Sequence, residues 1–192
     1  MPDWKEILSR DGPAAWRTAY RLLGNRANTD ECFQEACLAA LKVSRREVAQ
    51  NWQGLLRRLA VARSVDRLRV RKRARLQTST SGLHQVQDGS PPPPQDVEDA
   101  ELASELRLAL GRIAPKQAEA FCLHCIEDCS YQEIAQSLRI SIDAVGLLIH
   151  RARKHLRELL AGSDAFRAEA ESKAASITKA DVAPGSLRKE HS

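Results

Sequence analysis

Nothing in this sequence approaches the run of about eighteen apolar residues that a helix needs to cross a bilayer. The opening residues, Met1-Pro2-Asp3-Trp4-Lys5-Glu6, lack the basic start and apolar stretch of a secretion signal. Aromatic side chains make up only 4% of the chain, so any core must be built from aliphatic residues. There is no Gly-rich phosphate loop and no nucleophile motif, and the 5 histidines lie scattered, so no catalytic constellation appears. Cysteines number 5, an odd count, and they fall inside helical patterns, which argues against a disulfide framework. These absences predict a soluble, non-enzymatic protein of a reducing cytoplasm, with no cofactor and no membrane partner.

What is present is charge and helix-forming residues. Charged residues reach 29%, Leu, Ala and Arg are abundant and glycines number only 9, a composition that favours an all-α fold. The formal net charge of +5 is compatible with a polyanionic partner without requiring one. Pattern divides the 192 residues into four parts: a helical domain over 1–75, a linker over 76–97, a second helical domain over 98–161 and a tail over 162–192. The linker carries Thr-Ser-Thr-Ser-Gly and then four consecutive prolines at 91–94, which cannot continue a helix and read as a flexible tether. The tail holds few large apolar residues, Phe166, Ile177, Val182 and Leu187, and reads as a disordered end. The sharper reading of that tail is a regulatory extension that covers a helix-turn-helix in the second domain, with the outward Leu147 as an apolar contact.

The second domain carries the clearest local signal. Ser130-Tyr131-Gln132-Glu133 has the form of a capping box, followed by Ile134, Ala135 and Leu138 on one face of a short helix. Arg139-Ile140 makes a tight connection, and Ser141 is placed to cap the next helix, with Asp143 in its first turn. Val145, Ile149, Ala152 and Leu156 then share one side of that helix. Its other side carries Asp143, Gly146, Leu147, His150, Arg151 and Lys154. Two short helices joined tightly, the second basic on its outer face, fit a helix-turn-helix reader of the major groove, with Ser141, Asp143, His150, Arg151 and Lys154 as candidate DNA contacts. A helical hairpin with a solvated charged face remains the plainer alternative.

The first domain adds a separate signal. Over residues 57–75 lie nine basic side chains, Arg57, Arg58, Arg63, Arg67, Arg69, Arg71, Lys72, Arg73 and Arg75, interrupted by one acid, Asp66. Apolar residues are interleaved on both sides, so the helix packs on its neighbours while presenting arginine to phosphates. Arg58, Arg63, Arg67, Arg69, Arg71, Lys72 and Arg73 are the candidate nucleic-acid contacts. Upstream, Asn28-Thr29-Asp30-Glu31 opens a helix whose buried stripe is Phe33, Ala36, Cys37 and Ala40. Glu31, Gln34, Glu35 and Leu38 fall together on its opposite face, a candidate partner surface.

Several stretches resemble the sigma-70 family of RNA polymerase sigma factors, in particular its extracytoplasmic-function (ECF) group. Tyr20-Arg21-Leu22-Leu23-Gly24-Asn25-Arg26-Ala27, Asp30 and Gln34-Glu35-Ala36 look like the opening of that family's polymerase-binding domain, sigma region 2. Arg58-Leu59-Ala60 and Asp66-Arg67-Leu68-Arg69 resemble its promoter-melting helix. Ile113-Ala114-Pro115-Lys116-Gln117-Ala118-Glu119-Ala120-Phe121, Ser130 to Ala135 and His150 to Arg157 resemble its second domain, region 4. The resemblance implies docking on core RNA polymerase through Asp30, Glu31, Gln34, Glu35 and Leu38, minus-ten promoter DNA held by the basic helix, and minus-thirty-five DNA read by the helix-turn-helix. It leaves room for an anti-sigma factor.

The chain also departs from the family pattern. Gly146, Leu147 and Leu148 stand where a basic residue, a Ser and an Arg are usual; a Leu such as Leu147 can touch a thymine methyl but cannot hydrogen-bond a base edge. Ala62 replaces an Asn, and no aromatic lies between Phe33 and Trp52. A helix-turn-helix regulator that never joins polymerase, and an interaction protein that has lost promoter recognition, are the alternatives. Finally, Cys122, His124, Cys125 and Cys129 invite a zinc reading. Their spacings of three and four between the cysteines instead predict core packing and no bound metal, and Cys32 and Cys37 read likewise. Trp4 and Trp16 read as core or staple residues.

Overall fold

The computed structural model describes residues 3–45, 51–78 and 97–161, which form seven helices and no strand. Most of the expected linker and the whole tail beyond 161 lie outside the described residues.

Helix α1 (Trp4–Leu23) starts at Asp3, whose carboxylate accepts from the amides of Lys5 at 3.0 Å and Glu6 at 3.2 Å. It ends at Gly24, in the left-handed region at φ 72°, where the glycine amide returns to the Tyr20 carbonyl at 2.8 Å. Helix α2 (Arg26–Ser44) begins earlier than the Asn28-Thr29 pattern predicts, because Asn25 is the cap and its side chain accepts from the Asn28 amide at 2.9 Å. Helix α3 (Trp52–Thr78) is the longest. Against it α1 packs Ile7, Ala15, Ala19 and Leu22, and α2 packs Cys32, Ala36 and Ala40, around Leu56, Ala60, Val61 and Val65. Trp4 meets Trp52 edge to face with ring centres 5.1 Å apart, so it packs against the core between α1 and α3 rather than forming a staple within α1.

The second helical unit holds α4 (Val97–Leu110), α5 (Pro115–Cys125), α6 (Tyr131–Leu138) and α7 (Ile142–Leu160). Pro115 sits at the start of α5, where its missing amide has no intrahelical role. Val145, Ile149, Ala152 and Leu156 are all buried, as the spacing predicts, together with Leu110, Ala118, Cys122 and Ile134.

The two units meet along α3, which touches α4, α5 and α6 as well as α1 and α2. At Gly111 the α4–α5 turn lies so close to α3 that a Cβ there would sit 2.9 Å from the Leu68 carbonyl oxygen. Alongside, Arg69 donates to the Ile113 carbonyl at 3.0 Å. The carbonyl end of α1 receives two guanidinium groups, Arg71 on Leu23 at 3.4 Å and Arg107 on Arg21 at 3.3 Å, where the helix dipole favours cations. Glu127, in the α5–α6 turn, draws Arg21 of α1 and Arg57 of α3, each to 3.9 Å.

Glu119 of α5 lies partly buried in this junction. Burial raises its pKa, and the nearby Arg58 only partly opposes that. A carboxyl whose folded pKa is raised loses stability at pH values above that pKa and regains it as pH falls toward the ordinary carboxylate range. Glu119→Gln is therefore expected to raise Tm by about 2 °C at neutral pH. The gain should vanish below about pH 4, where the wild-type carboxyl is protonated. A thermal melt series across pH that shows a constant or reversed difference would contradict this.

Candidate nucleic-acid interface and docking face

The helix-turn-helix is built as its local residues dictate. The Glu133 amide donates to Ser130 Oγ at 3.2 Å, and the Ser130 amide donates to Glu133 Oε2 at 2.8 Å, completing the capping box. These bonds to the charged form hold the Glu133 carboxyl below its usual pKa. Helix α6 stops at Arg139, which takes the left-handed conformation at φ 55°. Ser141 Oγ then accepts from the Ala144 amide at 3.2 Å, so this hydroxyl is engaged in starting α7. Among the candidate DNA contacts here, Asp143, His150, Arg151 and Lys154 are exposed together on one side of α7. Arg153 and Arg157 are exposed on the same helix and extend its positive surface, although the sequence reading did not single them out.

Two residues in that face are unusual. Leu147 is 49% exposed among the charged residues. Gly146 is not imposed by packing, since a Cβ there would meet only the Tyr131 ring, at an ordinary 3.6 Å. A glycine in a helix interior nevertheless costs about 1 kcal/mol relative to alanine.

The basic helix is less uniformly available than its sequence suggests. Arg58, Arg63, Arg69, Arg71 and Lys72 are partly buried, and Arg73 is exposed. Arg69 and Arg71 reach backbone carbonyls of neighbouring elements, and Arg63 lies 3.6 Å from Asp66. Arg67 turns toward α2, donating through Nη1 to Glu31 Oε2 and through Nη2 to Glu35 Oε1, both at 2.7 Å. Burial opposes its charged form, but the two carboxylates outweigh burial and raise its pKa. A candidate DNA contact and two candidate docking residues thus form one cluster.

On the α2 face, Glu31, Gln34, Glu35 and Leu38 are all exposed, with Leu38 at 59%. Asp30 is set back from them. It accepts from the Trp16 indole N–H at 2.7 Å and lies 3.8 Å from Arg26, so it also ties α2 to α1. This contact, across fourteen positions in sequence, had no local spacing to reveal it.

The cysteines behave in different ways. Cys32 and Cys122 are fully buried, and burial pushes both thiols up in pKa. Cys37 and Cys129 are half-buried, but Cys125 is exposed. The expectation of core packing for Cys125 is therefore corrected. Cys125 follows the buried Cys122 by three residues within α5, a step that turns about 60° off the buried line, and as the last residue of the helix it faces Arg153, whose Nη2 lies 3.9 Å from its Sγ. His124 instead brings Nδ1 within 3.0 Å of the Cys129 carbonyl. Among the described residues, no group of three His, Cys, Asp or Glu is placed to hold a metal ion.

With this geometry in view, residues 103–156 match the family "Sigma-70, region 4", a span running from α4 through most of α7. The chain is 30% identical to the ECF RNA polymerase sigma factor SigE of Mycolicibacterium smegmatis over 161 residues, 84% of this chain. It spans 63% of that relative's length. It is 26% identical to the ECF RNA polymerase sigma factor SigW of Bacillus subtilis over 153 residues, covering 76% of this chain and 82% of SigW. In fold it resembles the sigma factor RpoE of Bartonella quintana, solved in complex with the anti-sigma factor NepR. The TM-score is 0.53 at 24% identity, covering 85% of this chain and 99% of RpoE.

Proposed function

We infer that this chain, which belongs to the sigma-70 family alongside the ECF sigma factors, is a transcription initiation factor that binds core RNA polymerase and directs it to promoter DNA. The observation that carries this reading is the exposed α7 face of Asp143, His150, Arg151 and Lys154, presented by a capped helix-turn-helix inside the region 4 span. The likeness to SigE and SigW covers 84% and 76% of the chain, well beyond the region 4 span. In this reading α2 docks on polymerase through Gln34, Leu38 and the carboxylates held by Arg67. Arg58, Arg63, Lys72 and Arg73 of α3 face minus-ten DNA, and α7 meets the minus-thirty-five element. The chain makes and breaks no covalent bond itself. It works in the cytoplasm, and an anti-sigma factor is a further partner. Among the described residues, no helix is long and apolar enough to cross a membrane.

The test is transcription by purified core polymerase on a genomic promoter library, with and without the full chain. New initiation sites appearing only with the protein are expected. Gln34→Ala combined with Leu38→Ala leaves the Arg67 pairs in place, and should weaken core binding at least about tenfold, ~1.4 kcal/mol, with helicity unchanged. Undiminished affinity would remove α2 as the docking face. Absence of new initiation sites despite core binding would favour the reading as a polymerase-interacting protein without promoter opening.

A further inference from the structure

Leu147 and Gly146 lie side by side on the outer half of α7, and neither is explained by the fold. The buried line of this helix is Val145, Ile149, Ala152 and Leu156, and Leu147 projects away from it with half its surface open. An exposed leucine alone is unremarkable. Its position is not: Asp143, His150, Arg151 and Lys154 stand four before and three, four and seven after it, surrounding it at helical spacing. The cations among them give the surroundings the charge expected of a surface that meets a polyanion.

Gly146 is the second, independent observation. Space exists for a methyl group there, with Tyr131 at 3.6 Å, so neither a positive φ nor a tight internal contact demands glycine. What glycine provides is a bare backbone that another molecule can approach closely. Gly146 and Leu147 also supply no side-chain donor or acceptor, so they read no hydrogen-bonding edge of a base. In the major groove, the apolar feature open to such a pair is the C5-methyl group of thymine.

We propose that Gly146 and Leu147 form an apolar reader of thymine methyl groups, with α7 seated deep in the major groove at Gly146 and anchored by the neighbouring cations. This deepens the reading of α7 as a DNA-binding helix and rests on it. Selectivity at these positions comes from methyl burial rather than from hydrogen bonds. A plain consequence is that binding distinguishes thymine from deoxyuridine, which differ by that methyl alone.

The experiment selects duplexes from a randomised pool with the full chain, alone and bound to core polymerase, and then rebuilds the selected duplexes with deoxyuridine at each thymine in turn. At one or more positions the wild type should lose about fourfold in affinity per methyl removed. Leu147→Ser, which replaces an exposed side chain and should keep full helicity, should bind the two duplexes alike. Gly146→Ala should raise Tm yet weaken binding to the selected duplex, because the added methyl holds the helix away from the groove. Equal wild-type binding to thymine and deoxyuridine duplexes, with salt-dependent selection intact, would overturn the proposal and leave DNA reading by α7 standing. Equal losses for the wild type and Leu147→Ser would also overturn it. A pool that yields no enrichment in either format would overturn both the proposal and the reading beneath it.

Discussion

Arg67→Glu should lower stability by about 3 kcal/mol, a fall in Tm of about 8 °C for a chain of this size, and should abolish measurable binding to core polymerase. The Arg67 side chain is 21% exposed and bridges two carboxylates at 2.7 Å, while its partners, Glu31 and Glu35, are 66% and 49% exposed. Solvent screens such exposed partners, so each bond contributes about 1 kcal/mol rather than the larger value of an enclosed pair. The reversal then adds repulsion, because a third carboxylate enters a site built around two. The effect on polymerase follows from geometry: the same bonds fix Glu31 and Glu35 on the α2 face. Arg67→Met removes the bonds without the repulsion, and should fall between wild type and Arg67→Glu in thermal denaturation and in a core-polymerase titration. An unchanged Tm for Arg67→Glu would show that the bridge contributes nothing in solution.

Gly111→Ala should cost a further comparable amount, about 2–3 kcal/mol, for a purely steric reason. The new Cβ would stand 2.9 Å from the carbonyl oxygen and 3.1 Å from the carbonyl carbon of Leu68. Both are backbone atoms in the middle of α3, so no side chain can swing aside. Relief requires the α4–α5 turn to withdraw from α3, which also stretches the hydrogen bond from Arg69 to the Ile113 carbonyl. A urea titration should show a lower midpoint, and the opposite sign is expected for the same substitution at Gly146, where the methyl has room. A Gly111→Ala midpoint equal to wild type would mean that the two units do not meet closely at this turn.

The contrast between these glycines shows which features the sequence makes legible. The capping box, the Ser141 cap and the buried line of α7 are encoded within a few residues, and each was readable because its partners are close in the chain. The exposure of Glu31, Gln34, Glu35 and Leu38 followed from periodicity in the same way. Arg67 could be read only as one cation among nine, because its carboxylates lie 36 and 32 positions away. Asp30 under Trp16 is another pairing of that type. Helix α3 resists reading for a related reason. It is covered by neighbours on several sides, so its apolar residues form no single stripe, and periodicity cannot say which arginines point outward. Cys125 is misread because a step of three from the buried Cys122 turns about 60° off the buried line, and at the last residue of α5 that is enough to leave it exposed.

The sharing of α3 by both units also bears on how the chain is made. Ribosomes release it from the N-terminus, so α1 and α2 can close on α3 while the covering turn at Gly111 and all of α5 are still to be translated. At typical synthesis rates the thirty or so residues between α3 and that turn take a few seconds, during which Leu68 and its neighbours face water. An apolar strip left open for that long invites association between nascent chains. Here it is flanked by Arg57 and Arg69, which later bind Glu127 and the Ile113 carbonyl but until then repel a second copy of themselves. The arginines that finally join the two units would first act as guards over the surface they join.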